Sequence, residues 1–455
     1  MGSDGHPEPR AHGTLKLPLF GTEGAPSFEK VSTCVHCGLC LEACPTYREL
    51  RVEMDSPRGR IYLMKGILQG KIAPTESVVK HLDQCLDCRA CETACPSGVE
   101  YASILERTRS VLQPTRKLGL FGRVVRWFAF SLLLPSRAVQ KVVFKLLWLQ
   151  QVLGLTRLGG WLGRHHLLPG RLGSAAAQAP FVPRRSFREA YAGARDPGRA
   201  ALVFPARGER RQRVALFTGC LADQLFASVN AATVRVLTEN GCEVEVLEAE
   251  RCCGALQIHN GAREEAKALA RDNVKLFAGR DFDAIVSNAA GCSAELRHYG
   301  ELLEGDAAAA AFGGKLRDIS EYLCEIGWKP PTAPGRRRGR VAYDEPCHLL
   351  HAQKISEPPK QLLRGIPGLE LVPLEDADAC CGSAGVYSLL QPELSGKVGD
   401  RKVAAIGRSG ASIVATGNPG CLMQIQTGVK AAGLAVEVIH PVELLADAYR
   451  ASFGD

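Results

Sequence analysis

CVHCGLCLEACP, residues 34–45, and CLDCRACETACP, residues 85–96, are two copies of one spacing, C-x2-C-x2-C-x3-C-P. Three thiolates two residues apart wrap one corner of an iron-sulfur cube, while the fourth, displaced by a longer step and turned away by proline, reaches a second cube. That crossed arrangement assigns Cys34, Cys37, Cys40 and Cys95 to cluster 1 and Cys85, Cys88, Cys91 and Cys44 to cluster 2, each of the 4Fe-4S type. Structural zinc is the rival reading. Zinc takes four ligands in two close pairs, which leaves the third cysteine, the longer step and the proline without a purpose. The spacing therefore predicts a helical two-cluster module over residues 28–106. One helix is expected around Ile61, Leu63, Met64 and Ile67 and another from Ser77 to Leu82, both keeping water from the sulfurs.

A chain of 455 residues holds two or three domains with ample material for cores. Residues 1–27, rich in Gly, Pro and charge and without an apolar run, read as a disordered leader rather than a signal peptide. Cytoplasmic residence is the expectation, since there thiols stay reduced and free to ligate metal. The longest uncharged apolar stretches, Trp127 to Ser136 and Leu146 to Thr156, are too short to span a bilayer.

Net charge is +8, and its distribution is uneven. From Arg107 to Arg188 there are fifteen Lys or Arg and no Asp or Glu; the rest of the chain has 41 basic against 48 acidic residues. Within this block, residues 107–188, Arg137, Lys141 and Lys145 recur every four positions along one helical face, and Val142, Val143, Phe144, Leu146, Leu147 and Trp148 crowd the remainder. Trp127, Trp148 and Trp161 lie here too. A broad apolar face, cationic flanks and aromatics suit a helix lying in a membrane surface, where each cation near an anionic leaflet adds about 1 kcal/mol. Docking on a partner subunit or packing on the cluster module is the other reading. Nucleic acid is not expected, because the block carries Leu and Val runs instead of polar base-reading groups.

A linker over residues 189–213 precedes two copies of one unit, at 214–335 and 340–450. Cys220, Cys252, Cys253 and Cys292 in the first correspond to Cys347, Cys380, Cys381 and Cys421 in the second, at offsets of 127, 128, 128 and 129 residues. A near-constant shift across four positions is an internal duplication. Apolar runs lead into the cysteines, and helical patterns at Ala262–Ala278 and Leu394–Ile406 lie between them, giving strand–helix alternation and a parallel sheet in each copy. Ligands gather at the carboxyl ends of such strands, so each copy should bring its cysteines to one pocket. Metal or cluster ligation and a vicinal-thiol redox site are both open for these eight cysteines. Cys242 and Cys324, which have no equivalents, read as buried structural thiols.

The two copies, with Cys252-Cys-Gly254 and Cys380-Cys-Gly-Ser-Ala-Gly385, resemble the cysteine-rich CCG domain of heterodisulfide reductase subunits. The order of the whole chain is similar to the iron-sulfur subunit of bacterial glycolate oxidase, as are Ser56-Pro-Arg-Gly-Arg-Ile-Tyr62, Cys95-Pro-Ser-Gly-Val-Glu-Tyr101 and Cys347-His-Leu-Leu-His-Ala-Gln353. The fold expected is α+β: an N-terminal helical two-cluster ferredoxin-like module followed by two duplicated α/β CCG domains with parallel sheets. One departure stands out. The full CCG pattern closes with C-x-x-C, and Glu295 and Gln424 occupy its last position here. Each pocket thus offers four cysteines, leaving a simpler cluster or zinc open; His259, His348 and His351 are near enough in sequence to act as further ligands or proton carriers.

No G-x-G-x-x-G follows a strand, and no catalytic residue is assigned to this chain. One-electron carriers need a two-electron partner, which makes this the non-flavin subunit of an oxidoreductase complex. The resemblance implies FAD-binding glycolate oxidase subunits that convert glycolate to glyoxylate, with this chain passing electrons towards a membrane quinone from a peripheral position on the inner face of the cell membrane. D-Lactate or anaerobic glycerol-3-phosphate oxidation would need only another flavoprotein. Thiol chemistry of the heterodisulfide reductase type, or a zinc-binding interaction module, are the remaining alternatives.

Overall fold

The computed structural model describes residues 19–116, 118–156, 159 and 181–453. The start of the expected leader, Trp161 and most of the stretch around it lie outside the described residues. The chain forms two compact units: one comprises residues up to Arg123 together with Gln257–Arg263, the other Val124–Leu256 and Glu264–Asp455.

The first unit is helical. Helices span Phe28–Ser32, Pro45–Leu50, Pro57–Leu68, Glu76–Asp83, Ala90–Thr93 and Tyr101–Val111. The longest begins where Ser56 caps it by accepting from the Gly59 amide and Pro57 supplies a preset first turn. Ile61, Met64, Ile67 and Leu68, three and four residues apart, bury one stripe against Leu82, Ile104 and Leu105. Gly59 is obligatory for close approach, since a Cβ there would stand 1.9 Å from the Glu53 carbonyl oxygen.

The second unit contains both repeats, apart from Gln257–Arg263 of the first. Strands β1 (Arg195–Asp196), β2 (Ala201–Phe204), β3 (Gln212–Phe217), β4 (Cys242–Leu247), β5 (Ala284–Ser287) and β6 (Leu316–Asp318) form one sheet in the order β1-β2-β4-β3-β5-β6. Strands β7 (Gly339–Tyr343), β8 (Leu369–Val372), β9 (Ile413–Ala415) and β10 (Glu437–Ile439) form a second, all parallel, in the order β10-β9-β7-β8. The parallel core of the first sheet, β4-β3-β5-β6, has the same order as β8-β7-β9-β10, so the duplication inferred from cysteine offsets is also a duplication of topology.

Two findings depart from the sequence expectation. The stretch expected as a linker at 189–213 supplies β1 and β2, which extend the first sheet antiparallel at the edge of β4. Its Ala, Pro, Gly and Arg content hid Ala201-Leu-Val-Phe204, whose first two side chains are buried. The copies are also not separate globules, for one core takes Val214, Leu216, Val236 and Leu237 from the first and Val341, Tyr343, Leu445 and Tyr449 from the second. Polar ties cross the same seam. Asn240 donates to the Tyr449 hydroxyl at 3.0 Å, and Gly291 N donates to Asn418 Oδ1 at 3.1 Å.

The basic helix Arg137–Val152 is turned the other way from a surface-seeking cationic stripe. Arg137 faces inward, its Nη2 2.8 Å from Glu250 Oε1, and Lys141 and Lys145 both reach the Glu189 carboxylate at 3.1 Å. Gln140 and Phe144 are buried. Val142, Leu146, Leu149 and Leu153, spaced four, three and four residues apart, are 59, 61, 45 and 63% exposed. The acids that capture the cations lie beyond the basic block in sequence, so the local pattern could not reveal which face is satisfied by protein.

His440 joins the two copies as a neutral imidazole. Its Nε2 donates to the Asn288 carbonyl at 2.9 Å, and its Nδ1 accepts from Val442 N at 3.1 Å. Burial pushes it down to about 4 from the usual 6.5. The unfolded chain therefore takes up a proton as pH falls below about 6.5 while the folded chain does not until about 4, so stability is lost across that window, by roughly 3 kcal/mol in all. The thermal midpoint should drop between pH 7 and 4.5, and His440→Gln should flatten that part of the curve; an unchanged slope in the variant would show that other groups carry the acid loss.

Candidate metal centres

Both cysteine runs of the first unit coil in the same way. His36 and Gly38 in one, and Asp87 and Arg89 in the other, hold φ between 54° and 88° at the second and fourth positions after the leading cysteine. Left-handed backbone at three non-glycine residues is a strained arrangement, and here it turns amide hydrogens towards sulfur. Asp87 N lies 3.4 Å from Cys85 Sγ, and the corresponding His36 amide lowers the Cys34 thiol against the larger upward push of burial. After each run the proline follows the fourth cysteine. Cys44 caps the helix that Pro45 begins, and it is buried.

A small cavity collects Cys44 with Cys85, Cys88 and Cys91, and Thr46, Arg60, Arg89 and Tyr101 also line it. On the other side Cys95 is near enough to Cys34 to raise its thiol electrostatically, as Cys37 also does. The fourth cysteine of the first run thus stands with the first three of the second, and the fourth of the second run stands by Cys34. Burial pushes Cys40 up to about 11, and Cys91 rises well above the ordinary thiol range through burial and then through Cys88, Cys85 and Cys44. Thiols in this state cannot ionise together unless a cation sits among them. Iron supplies that charge, and the donor set fits an iron-sulfur cluster.

His259, a candidate ligand from the sequence, belongs to the same unit. Its Nδ1 is 3.0 Å from Glu106 Oε1 and 3.2 Å from Asp87 Oδ2. Burial alone would lower it, but hydrogen bonds to Asp87 and Glu106 overcome that and push it up to about 10. Arg109 and Arg89 stand beside the same two carboxylates at 4.0 and 3.6 Å. Two guanidinium groups and an imidazolium already balance this carboxylate pair, which makes it an ion-pair cluster in place of a cation site.

In the second unit the first repeat gathers its thiols closely. Cys220 begins the helix Cys220–Leu225 after Gly219, whose φ is 71°, and its Sγ is 3.4 Å from Cys252 Sγ. Cys252 and Cys253 interact with each other, and Cys253 with Cys292, the third residue of the helix Ala290–Arg297. Beside them Glu250 is fully enclosed: it accepts from Thr218 N and Gly219 N at 3.2 and 3.1 Å and pairs with Arg137 and Arg188. Burial, with Arg137 alongside, pulls Arg188 down to about 10.

The second repeat differs. Cys381 Sγ is 3.0 Å from Cys421 Sγ and hydrogen-bonded to Cys380, while Cys347 Sγ is 3.4 Å from His348 Nδ1. His351 is turned to the Asp378 carbonyl and lowered by burial. Lys402, missed in the sequence, is buried behind the thiols and paired with Asp344 at 2.8 Å. Hydrogen bonds from Cys380 and Cys421, with the Lys402 ammonium behind them, hold Cys381 well below the usual thiol range and leave Cys421 well above it. Its signal was legible: Leu394, Val398, Lys402 and Ile406 are four residues apart, a lysine within an apolar stripe. Glu295, at the place of the absent cysteine, is buried, and Gln424 Nε2 points at Ser395 Oγ at 3.4 Å. Cys242 is fully buried and pushed up to about 11 by that burial.

Residues 30–99 match the family model described as a 4Fe-4S dicluster domain, and residues 214–297 and 341–426 each match the cysteine-rich domain. The probable glycolate oxidase iron-sulfur subunit of Bacillus subtilis is 39% identical over 422 residues, 91% of this chain and 93% of the relative. The glycolate oxidase iron-sulfur subunit of Escherichia coli is 34% identical over 424 residues, again 91% and 93%. Lactate utilization protein A of Geobacillus sp. is 30% identical over 237 residues, 51% of this chain and 98% of that one. With similarity running through the dicluster module and both repeats, the chain belongs to the family of glycolate oxidase iron-sulfur subunits.

Proposed function

We propose that this chain carries electrons from FAD-binding partner subunits, which oxidise glycolate to glyoxylate, to a quinone at the membrane. The observation that carries the reading is the cavity that joins Cys44 to Cys85, Cys88 and Cys91 in a chain with full-length glycolate oxidase relatives. When bound, the two 4Fe-4S clusters supply one-electron carriers. The residues do the rest. Cys34, Cys37, Cys40 and Cys95 hold cluster 1, and Cys85, Cys88, Cys91 and Cys44 hold cluster 2. Leu86, Cys88 and Tyr101, all under 9% exposed, keep water from cluster 2. Cys37, Val35 and Leu39 are exposed, which gives a partner a short approach to cluster 1.

The eight cysteines of the repeats are proposed as ligands of a further cluster or zinc. The closely gathered first pocket favours ligation. In the second, Lys402 and the Cys381–Cys421 contact also suit thiol redox chemistry. D-Lactate as the substrate of the flavoprotein partner is the second reading, favoured by the similarity to lactate utilization protein A.

For the membrane we propose that the outward stripe Val142, Leu146, Leu149 and Leu153 inserts into the bilayer surface. Trp127 and Phe128, 57 and 38% exposed, add interfacial aromatics. A segment without a single carboxylate from 107 to 188 meets no repulsion from anionic lipid.

Anaerobically purified protein should contain at least about eight iron and eight acid-labile sulfide per chain. Colourless protein with zinc and no sulfide would sink the electron-transfer reading. Co-purified with its flavoprotein, it should reduce an acceptor dye with glycolate in preference to D-lactate and glycerol 3-phosphate. Cys44→Ser should perturb the paramagnetic signal of the cluster held by Cys85, Cys88 and Cys91; loss confined to the other signal would refute the crossing. Leu146→Glu with Leu149→Glu should cut sedimentation with anionic vesicles at least tenfold, while Lys141→Gln with Lys145→Gln should change it less. Unchanged vesicle binding, with loss of flavoprotein co-purification instead, would assign the stripe to a partner subunit.

A further inference from the structure

Ser56-Pro-Arg-Gly-Arg-Ile-Tyr62 lies between the two cysteine runs and contributes no thiol. Its second arginine, Arg60, has no exposed surface. A guanidinium with no water needs every donor and its charge matched by protein. Its Nε donates to the His81 carbonyl at 2.7 Å and its Nη1 to Thr46 Oγ1 at 2.9 Å, with Cys44 Sγ at 4.0 Å from the same nitrogen. Its Nη2 is 3.3 Å from Asp55 Oδ1, and His81 Nδ1 is 3.0 Å from that same oxygen. The one carboxylate at hand is therefore shared.

The rest of the charge is directed at the cavity that Arg60 lines together with Cys44, Cys85, Cys88 and Cys91. Burial opposes that charge, yet Cys85, Tyr101, Cys44 and Asp55 together hold Arg60 above its ordinary range. Thr46 Oγ1, 3.2 Å from Cys44 Sγ, is fixed by the Asp55 carbonyl at 2.9 Å, so Arg60 and the Cys44 sulfur meet through a rigid hydroxyl as well as directly. The first cysteine run has a different surrounding. Arg58, the arginine next to it, is solvent-accessible, engaged with Glu53 at 2.7 Å and turned to the His36 carbonyl.

We propose that Arg60 is a positioning residue that raises the reduction potential of cluster 2 selectively. Each one-electron reduction adds a negative charge to a largely buried site. A fixed cation beside the ligand sulfurs stabilises that state more than the oxidised one. Arg60 keeps its proton throughout, so an electron arrives and no proton moves at this residue. The proposal rests on the crossed ligand assignment given above.

The test is an anaerobic redox titration of the full chain, with dithionite as electron donor, following each cluster's paramagnetic signal. Arg60→Gln should lower the midpoint of the signal that Cys44→Ser perturbs, by at least tenfold in the oxidised-to-reduced ratio, or about 59 mV for one electron. The other signal should move by less than a third of that in ratio, and Arg60→Lys should restore most of the loss. If Arg60→Gln fails to load iron, Asp55→Asn carries the test: with its carboxylate neutralised and Arg60 in place, the same midpoint should rise. An unchanged midpoint in a fully loaded variant, or equal shifts in both signals, would overturn the role of Arg60. A shift confined to the signal that Cys44→Ser leaves intact would overturn the selectivity for cluster 2, while the Cys44→Ser result alone decides the crossing.

Discussion

A thiolate that leaves water must find positive charge close by, and this requirement orders the whole chain. Eight cysteines in the first unit and eight in the repeats are partly or wholly buried, apart from Cys37. Burial, with the neighbouring thiols, drives Cys91 well above the ordinary thiol range, and the contact with Cys252, then burial, does the same to Cys220. The counter-charges are inside as well. Arg60 and Arg109 oppose the rise at Cys85, Arg137 that at Cys220, and Lys402 stands behind Cys381. Each buried cation is in turn held by a buried carboxylate: Asp55, Asp87, Glu250 or Asp344. Such ion pairs contribute little net stability, because desolvation offsets their attraction. Their role is to fix the charge that surrounds the thiols.

The duplication explains how one chain builds two thiol pockets of different character. The parallel core has the same strand order in both sheets; Cys220, Cys292 and Cys421 stand in the first turn of the helix after their strand, and the Cys-Cys pairs lie in the loops after β4 and β8. Differences arise from what packs behind those ends. In the first copy Asn273 of the helix Arg263–Phe277 bonds the Cys252 carbonyl and the Tyr299 hydroxyl, both neutral partners. In the second, the helix Pro392–Ser409 brings an ammonium to the same region. Glu295 and Gln424, at the place of the fifth thiol, both lie within regular helices, Ala290–Arg297 and Pro419–Ala431.

Much of this was legible in the residues. The doubled C-x2-C-x2-C-x3-C-P spacing located the dicluster module, and constant offsets gave the repeat, since both are local or periodic signals. What was not legible depends on partners distant in sequence. Arg137 reads as a surface cation until Glu250, more than a hundred residues later, is seen to take it. Arg60 looks like one of two arginines in a polar turn, although one is enclosed and the other is not. The strands β1 and β2 are short, and their edge pairing depends on β4, which no local pattern announces. His259 is close in sequence to the first Cys-Cys pair, yet it belongs with Asp87 and Glu106 because Gln257–Arg263 folds into the first unit.

The outward face of the helix Arg137–Val152 follows from the same electrostatics. Once Arg137 has been drawn to Glu250, and Lys141 and Lys145 to Glu189, the helix has no freedom to rotate, and Val142, Leu146, Leu149 and Leu153 must point away from the core. Fully burying four such side chains is worth roughly 6–12 kcal/mol, comparable with the total stability of a typical domain. Turning the helix over would recover part of that but would carry Arg137 out to solvent and leave Glu250 enclosed with Arg188 as its remaining guanidinium, so a buried charge would lose one of its two partners. The chain thus holds an apolar stripe in place with one ion pair to a buried carboxylate and two nearer the surface, and the stripe is stabilised further only when something apolar covers it.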